Sequence, residues 1–162
     1  MGLTKKEIAL RAQKTLKAHS DGEYPIKVVD LAHAMGLRVM ETKFTKDSIA
    51  GLLDMNERTI YIAKSEGYAR KRFSIAHEIG HYVLHKEECQ KEGRHISYRD
   101  EISSLGFEIK EIEANFFAAN LLMPKESVMS LVLEGYTLEE MAHYFNVSNV
   151  SMGYRLKFLG VE

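Results

Sequence analysis

His77-Glu78-Ile79-Gly80-His81 sets two imidazoles four residues apart, with a carboxylate directly after the first. On a helix, residues i and i+4 share a face one turn apart, so both rings can reach one ion. Two neutral imidazoles suit a tetrahedral divalent cation, Zn²⁺ above all. Glu78 lies about 100° further round the axis, a poor position for completing the same ligand set. It is placed instead to take a proton from a water that the ion polarises, the general-base step of carbonyl hydrolysis. A five-residue pattern recurs by chance, so its surroundings must carry part of the argument. The plain alternative is a surface helix that happens to bear two histidines. Ala76, Ile79 and Gly80 speak for a buried helix instead, where His and Glu need partners. Gly80 inside a helix costs about 1 kcal/mol against Ala, which points to a close backbone approach at that position.

A catalytic zinc needs a third protein ligand. His85 continues the histidine series, but about 12 Å of helical rise separates it from His77. Ligand bonds of about 2 Å do not span that, so His85 belongs to structure or to a cleft wall. One zinc-protease class places a glycine three residues, and a histidine six residues, after the second motif histidine. Leu84 and Glu87 occupy those places here, which excludes that class. The remaining source is a carboxylate on another helix, and the stretch from Glu108 to Met123 offers Glu108, Glu111 and Glu113. Glu111 is preferred over Glu113 on facing geometry, because Glu111, Ala114, Asn115 and Ala118 share one face. The two alanines would allow close packing against the His77 helix. Asn115 is placed to accept a hydrogen bond from a ligand histidine and fix its tautomer. Cys89 is a weaker outside candidate for metal contact. No organic cofactor site is read.

The elements that must position these groups follow from the pattern around them. Thr4-Lys5-Lys6-Glu7 is a capping box opening a helix with Ile8, Ala12 and Leu16 on one face. Pro25 is expected to open a second helix bearing Val28, Leu31, Ala32 and Met35, closed by Gly36. Leu37–Glu41, Ile49–Met55 and Thr59–Ala63 read as strands, with Asn56-Glu57-Arg58 as a hairpin turn. Arg70–Glu87 and Glu108–Met123 are the two strong helices. Phe73, Ala76, Gly80, Val83 and Leu84 form the apolar stripe of the first. Glu88–Gly106, with Gly93 and Ser103-Ser104, reads as a long irregular loop, and such loops are more often functional than idle. Lys125–Leu133, Thr137–Phe145 and Asn149–Leu159 are three short terminal helices, and Thr137-Leu138-Glu139-Glu140 is a second capping box. The expected class is α+β, mainly helical with a small antiparallel sheet.

The chain has 162 residues, 45% hydrophobic and 28% charged, enough for a globular core. A net charge of −1 provides no basic excess for binding a phosphate backbone. A single cysteine excludes an internal disulfide and a cysteine zinc cage. The start lacks the apolar run of a secretory signal, and no stretch has the length to span a bilayer. A cytoplasmic location is expected.

Two segments together resemble the ImmA/IrrE metallopeptidase family. Arg72-Phe73-Ser74-Ile75-Ala76-His77-Glu78-Ile79-Gly80-His81-Tyr82-Val83-Leu84-His85 is similar to its zinc helix. Glu111-Ile112-Glu113-Ala114-Asn115-Phe116-Phe117-Ala118, followed by Leu121-Leu122-Met123-Pro124, is similar to its second signature. The resemblance runs from about Tyr24 to the C-terminus and takes in Gly51–Ile62 and Leu138–Leu159. It implies His77, His81 and Glu111 as zinc ligands and Glu78 as general base. It also implies a zincin-like core, taken as residues 1–134, with a helical, helix-turn-helix-like extension over 135–162. Members commonly cleave, or promote the loss of, helix-turn-helix repressors of phages, mobile elements or stress regulons. The implied function is therefore a zinc metalloendopeptidase acting as an anti-repressor, its partner a repressor protein. One competing reading is a zinc-containing regulator that inactivates a repressor without cutting it. Another is a DNA-binding regulator, since Leu138–Ala142, Asn146-Val147-Ser148 and the last helix resemble a helix-turn-helix. Arg155 and Lys157 are thin charge for that role. A donor for the tetrahedral oxyanion is left open among His95, Tyr98, Tyr136 and His143.

Overall fold

Both capping boxes form. The computed structural model describes residues 2–99 and 108–162. In α1 (Lys5–His19) the Thr4 hydroxyl accepts from the Glu7 N–H at 3.1 Å, and the Glu7 carboxylate accepts from the Thr4 N–H at 3.2 Å. Two N–H groups that the first turn leaves free are thereby satisfied. Ile8, Ala12 and Thr15 are buried, and Leu16 packs at the margin of the core.

α2 (Val28–Ala34) begins three residues after Pro25 rather than at it. The Ile26 carbonyl is committed to the Arg72 guanidinium, which donates to it at 2.7 Å, so the intervening residues stay outside the helix. Val28, Leu31 and Ala32 face the core, and Gly36 turns the chain with a positive φ.

Four strands form one sheet in the order β1-β3-β2-β4: β1 (Arg38–Thr42), β2 (Ile49–Asp54), β3 (Thr59–Ala63) and β4 (Arg94–Tyr98). The turn through Asn56-Glu57-Arg58 joins β2 to β3 in an antiparallel pair, as expected. The sheet is nevertheless mixed, because β1 pairs in parallel with β3. β3 is buried at Thr59, Ile60, Ile62 and Ala63, the near-continuous burial of a central strand, and so takes the place between β1 and β2.

The expected 88–106 loop is largely ordered structure. α3 (Tyr68–Leu84) stops three residues short of the expected end at Glu87, and His85 leads directly into α4 (Lys86–Glu92). Gly93, with φ 79°, turns the chain into β4, which pairs antiparallel with β2. Alternation in Arg94-His95-Ile96-Ser97-Tyr98 was too weakly apolar to mark a strand. The rest of that stretch, 100–106 with Ser103-Ser104, lies outside the described residues.

α3 packs on α5 (Ile109–Leu122) through Gly80. A Cβ there would stand 3.2 Å from the Ala114 carbonyl oxygen and 3.3 Å from the Ala114 Cα, so only glycine permits this approach without adjustment. Ala114 and Ala118 are fully buried on the facing side. From Ser74 to Tyr82 every residue of α3 is buried, not one stripe alone. Its His and Glu side chains therefore have no solvated face to use.

α6 (Lys125–Leu133), α7 (Leu138–Phe145) and α8 (Asn149–Phe158) follow. Thr137 and Glu140 make the second capping box. Arg72 of α3 donates to the carbonyls of Phe145 and Asn146 and so ties the end of α7 to the core. Among the described residues no single helix is long and apolar enough to cross a membrane.

Candidate metal centre

α3 and α5 bring His77, His81 and Glu111 together, all buried, with one ligand atom from each lying within 4.8 Å of the others. His77 Nε2 is 3.1 Å from Glu111 Oε1, and His81 Nε2 is 3.1 Å from Glu111 Oε2. The two Nε2 atoms are also 3.1 Å apart. Asn115 Oδ1 lies 2.7 Å from His77 Nδ1 and accepts its proton, leaving the His77 Nε2 lone pair bare. His81 Nδ1 lies 3.0 Å from His85 Nδ1, turned away from the cluster in the same manner.

Two imidazole lone pairs and a carboxylate thus converge, all on buried side chains. A cation resolves that repulsion. Zinc bonds of about 2 Å imply ligand separations of about 3.3 Å in a tetrahedron. The observed spacing of 3.1–3.2 Å fits such an ion. The donor set, two imidazole nitrogens and one carboxylate, is the right chemistry for zinc.

The electrostatics match. Burial works against ionisation of Glu111, but His77, His81 and His95 override it and hold its carboxyl well below the usual range. Burial drives the His81 imidazole well below its ordinary value, towards the neutral form a metal requires. Burial raises the Glu78 carboxyl, opposed by His77 and His95. By hydrogen-bond geometry neither Glu78 oxygen is satisfied among the described residues, although the Ser97 hydroxyl of β4 lies near enough to favour its ionised form. Gly51 of β2 makes room for it, because a Cβ there would sit 2.9 Å from Glu78 Oε2.

His95 of β4 also reaches the cluster. Its Nε2 is 3.1 Å from Glu111 Oε2, and its ring centroid is 4.0 Å from that of His81. Burial lowers its basicity, yet Glu111 and Glu78 more than offset this and raise it above the ordinary value. The other oxyanion candidates lie elsewhere. Tyr136 and His143 line a separate depression with Glu139, Glu140 and Tyr144, and Tyr98 is partly exposed at the end of β4. His95 escaped firm assignment because its strand did; His95 and Ser97 alternate onto the face that meets Glu78.

Glu113, the competing third carboxylate, points away from the cluster and pairs with His85 at 2.8 Å. Cys89 lies in the hydrophobic core, where burial pushes its thiol up to about 12. In the terminal helix pair Arg155 is buried and donates to the Met123 carbonyl at 2.9 Å and to Asn120 Oδ1 at 3.0 Å. One of the two cations that a DNA-reading α8 would present is therefore spent inside the protein, leaving Lys157.

The family model described as the IrrE N-terminal-like domain, a peptidase family, matches residues 32–157. The chain belongs to this family. It is 25% identical over 168 aligned residues to a Bacillus subtilis (strain 168) protein named metallopeptidase ImmA, covering 97% of this chain and 88% of that one. A solved structure titled Mycobacterium tuberculosis transcriptional regulator superposes with a TM-score of 0.69 at 15% identity. That match covers 94% of this chain but spans only 46% of the regulator's length, and it speaks to the fold.

Proposed function

We propose that the chain is a zinc-dependent metalloendopeptidase that cleaves a helix-turn-helix transcriptional repressor. One observation carries the hydrolytic reading: a buried carboxylate, Glu78, whose oxygens find no well-formed hydrogen bond among the described residues, beside three electron-rich atoms spaced for one cation. Zinc bound there would act as a Lewis acid and bring the pKa of water towards about 7.

The chain's own residues divide the remaining work. His77, His81 and Glu111 hold the ion, and Asn115 orients His77. Glu78 accepts the proton of the attacking water and delivers it to the leaving amine. Its raised pKa brings it closer to neutrality, where a general base is most effective. His95 donates to the oxygen of the scissile carbonyl as negative charge grows there. Residues 135–162 act as a helical extension on a catalytic unit of residues 1–134, held by Arg155. The relative named metallopeptidase ImmA supports peptide hydrolysis. The resemblance of the two signatures to ImmA/IrrE proteins supports the repressor target, and a cytoplasmic location is part of the same proposal.

Metal analysis of the untagged chain should find close to one zinc per molecule. Incubation with the helix-turn-helix repressor encoded nearest its gene, followed by mass mapping of fragments, should show a discrete cut. Glu78→Gln should retain zinc and lose cleavage; His81→Ala should lose both. A Glu78→Gln variant that still cuts the repressor would overturn the assignment.

A further inference from the structure

His85 and Glu113 are buried polar side chains for which the hydrolytic scheme has no task. Their hydrogen bonds have an order that the metal site imposes. If His81 presents a bare Nε2 towards His77 and Glu111, its one proton sits on Nδ1. That nitrogen is 3.0 Å from His85 Nδ1, so His85 accepts there and carries its own proton on Nε2. His85 Nε2 lies 2.8 Å from Glu113 Oε1 and donates to it. The second oxygen of Glu113, Oε2, accepts the backbone N–H of Leu3. Each atom in the series has one role, and the donors converge on the Glu113 carboxylate, from His81 through His85 on one side and from the Leu3 N–H on the other.

We propose that His85, Glu113 and the Leu3 N–H form a relay that fixes the tautomer of His81 and so tunes metal affinity. The segment ahead of α1 is then a working part of the metal centre. This inference rests on the metal-site reading above. The two histidines are oriented by different means: His77 by a neutral amide in direct contact, His81 through an imidazole backed by a carboxylate. A carboxylate behind a ligand imidazole raises its basicity, and loss of such support typically weakens metal binding.

The fit of the leading segment is close. A Cβ on Gly2 would stand 2.8 Å from Ile109 Cγ2 and 2.9 Å from Glu113 Oε2. α1 then packs along α5, the helix that carries both Glu111 and Glu113. The family match begins at residue 32, so Gly2 and Leu3 reach the centre from outside the matched region. A merely structural clasp between α1 and α5 would use the same Leu3–Glu113 contact. It would lower thermal stability when broken and leave metal affinity alone.

Zinc affinity of the full chain, measured by competition with a chromogenic chelator, separates the two, with the visible band of the cobalt(II) form reporting ligand geometry. His85→Phe and Glu113→Leu should weaken zinc binding by about ten- to a hundredfold. Glu113→Gln should recover part of the loss, because its amide oxygen still accepts from His85. Leu3→Pro removes the N–H, whereas Leu3→Ala keeps it, so the proline variant should bind zinc more weakly than the alanine one. That pair decides the matter alone should His85→Phe fail to fold. Zinc affinities indistinguishable from wild type in these variants, with a cobalt band unchanged, would overturn the relay and leave the metal site standing. A wild-type chain that takes up no metal would remove the metal site, and the relay with it.

Discussion

The α3–α5 pair and the α7–α8 pair both bury polar side chains, but they use them in opposite ways. At α3–α5 the buried groups are left with unmet demand. Among the described residues neither Glu78 oxygen has a well-formed hydrogen bond, and lone pairs from His77, His81 and Glu111 face one another at 3.1–3.2 Å. Near α7–α8 the demand is met internally. Arg155 is spent on Met123 and Asn120, and Arg72 on Ile26, Phe145 and Asn146. Burying an unsatisfied polar group costs free energy, so a fold keeps one where something else, such as an ion or a substrate, is to supply the partner. On the proposed function the contrast separates a reacting site from a brace, with the helix-turn-helix-like segment as the brace.

The sharpest test of that contrast is Glu78→Gln. Loss of a general base should slow repressor cleavage by about a hundredfold to ten-thousandfold with zinc content unchanged. The readout is fragment yield against time, with metal measured on the same sample.

Next in size is the response to metal. Free zinc at about a thousand times its Kd should stabilise the wild-type chain by about 4 kcal/mol in chemical denaturation, and a chelator should reverse it. Glu111→Ala should abolish this response. A full zinc response in that variant would mean that the three groups do not act as a set.

Arg155→Met should cost about 2 kcal/mol, because the Met123 carbonyl and Asn120 lose a buried charged donor. Its zinc content should stay at the wild-type level. If zinc is lost together with stability, the two regions are coupled and the brace description fails.

The smallest effect belongs to Lys157→Ala. Gel-shift affinity for duplex DNA at low salt should be negligible before and after this change, since electrostatic attraction is greatest there. Measurable binding that disappears in the variant would restore a nucleic-acid role to α8.

Much of this molecule is legible in one dimension where the physics is local. The capping boxes at Thr4 and Thr137 depend on residues three apart, and both form. The i, i+4 spacing of His77 and His81 dictates that they share a helix face. The small residues Gly80, Ala114 and Ala118 announce a close crossing of two helices, which occurs. Facing geometry on α5 separates Glu111 from Glu113, and the structure gives them different partners, His77 and His81 for the one and His85 for the other.

Other features depend on partners distant in sequence. β4 carries too little apolar alternation to declare itself, and its pairing with β2 supplies the missing definition. With it comes His95, 3.1 Å from Glu111, which no local pattern links to the motif helix. The parallel pairing of β1 with β3 follows from where the most buried strand must lie. Arg155, counted along the chain as one of two basic residues on a helix that could read DNA, is turned inward by the carbonyl at the end of α5. Sequence alone determined the candidate metal-binding groups and the helices that bear them, because spacing along one helix sets direction. Tertiary structure alone decided which buried atoms find partners, because donors and acceptors are matched in space across elements far apart in the chain.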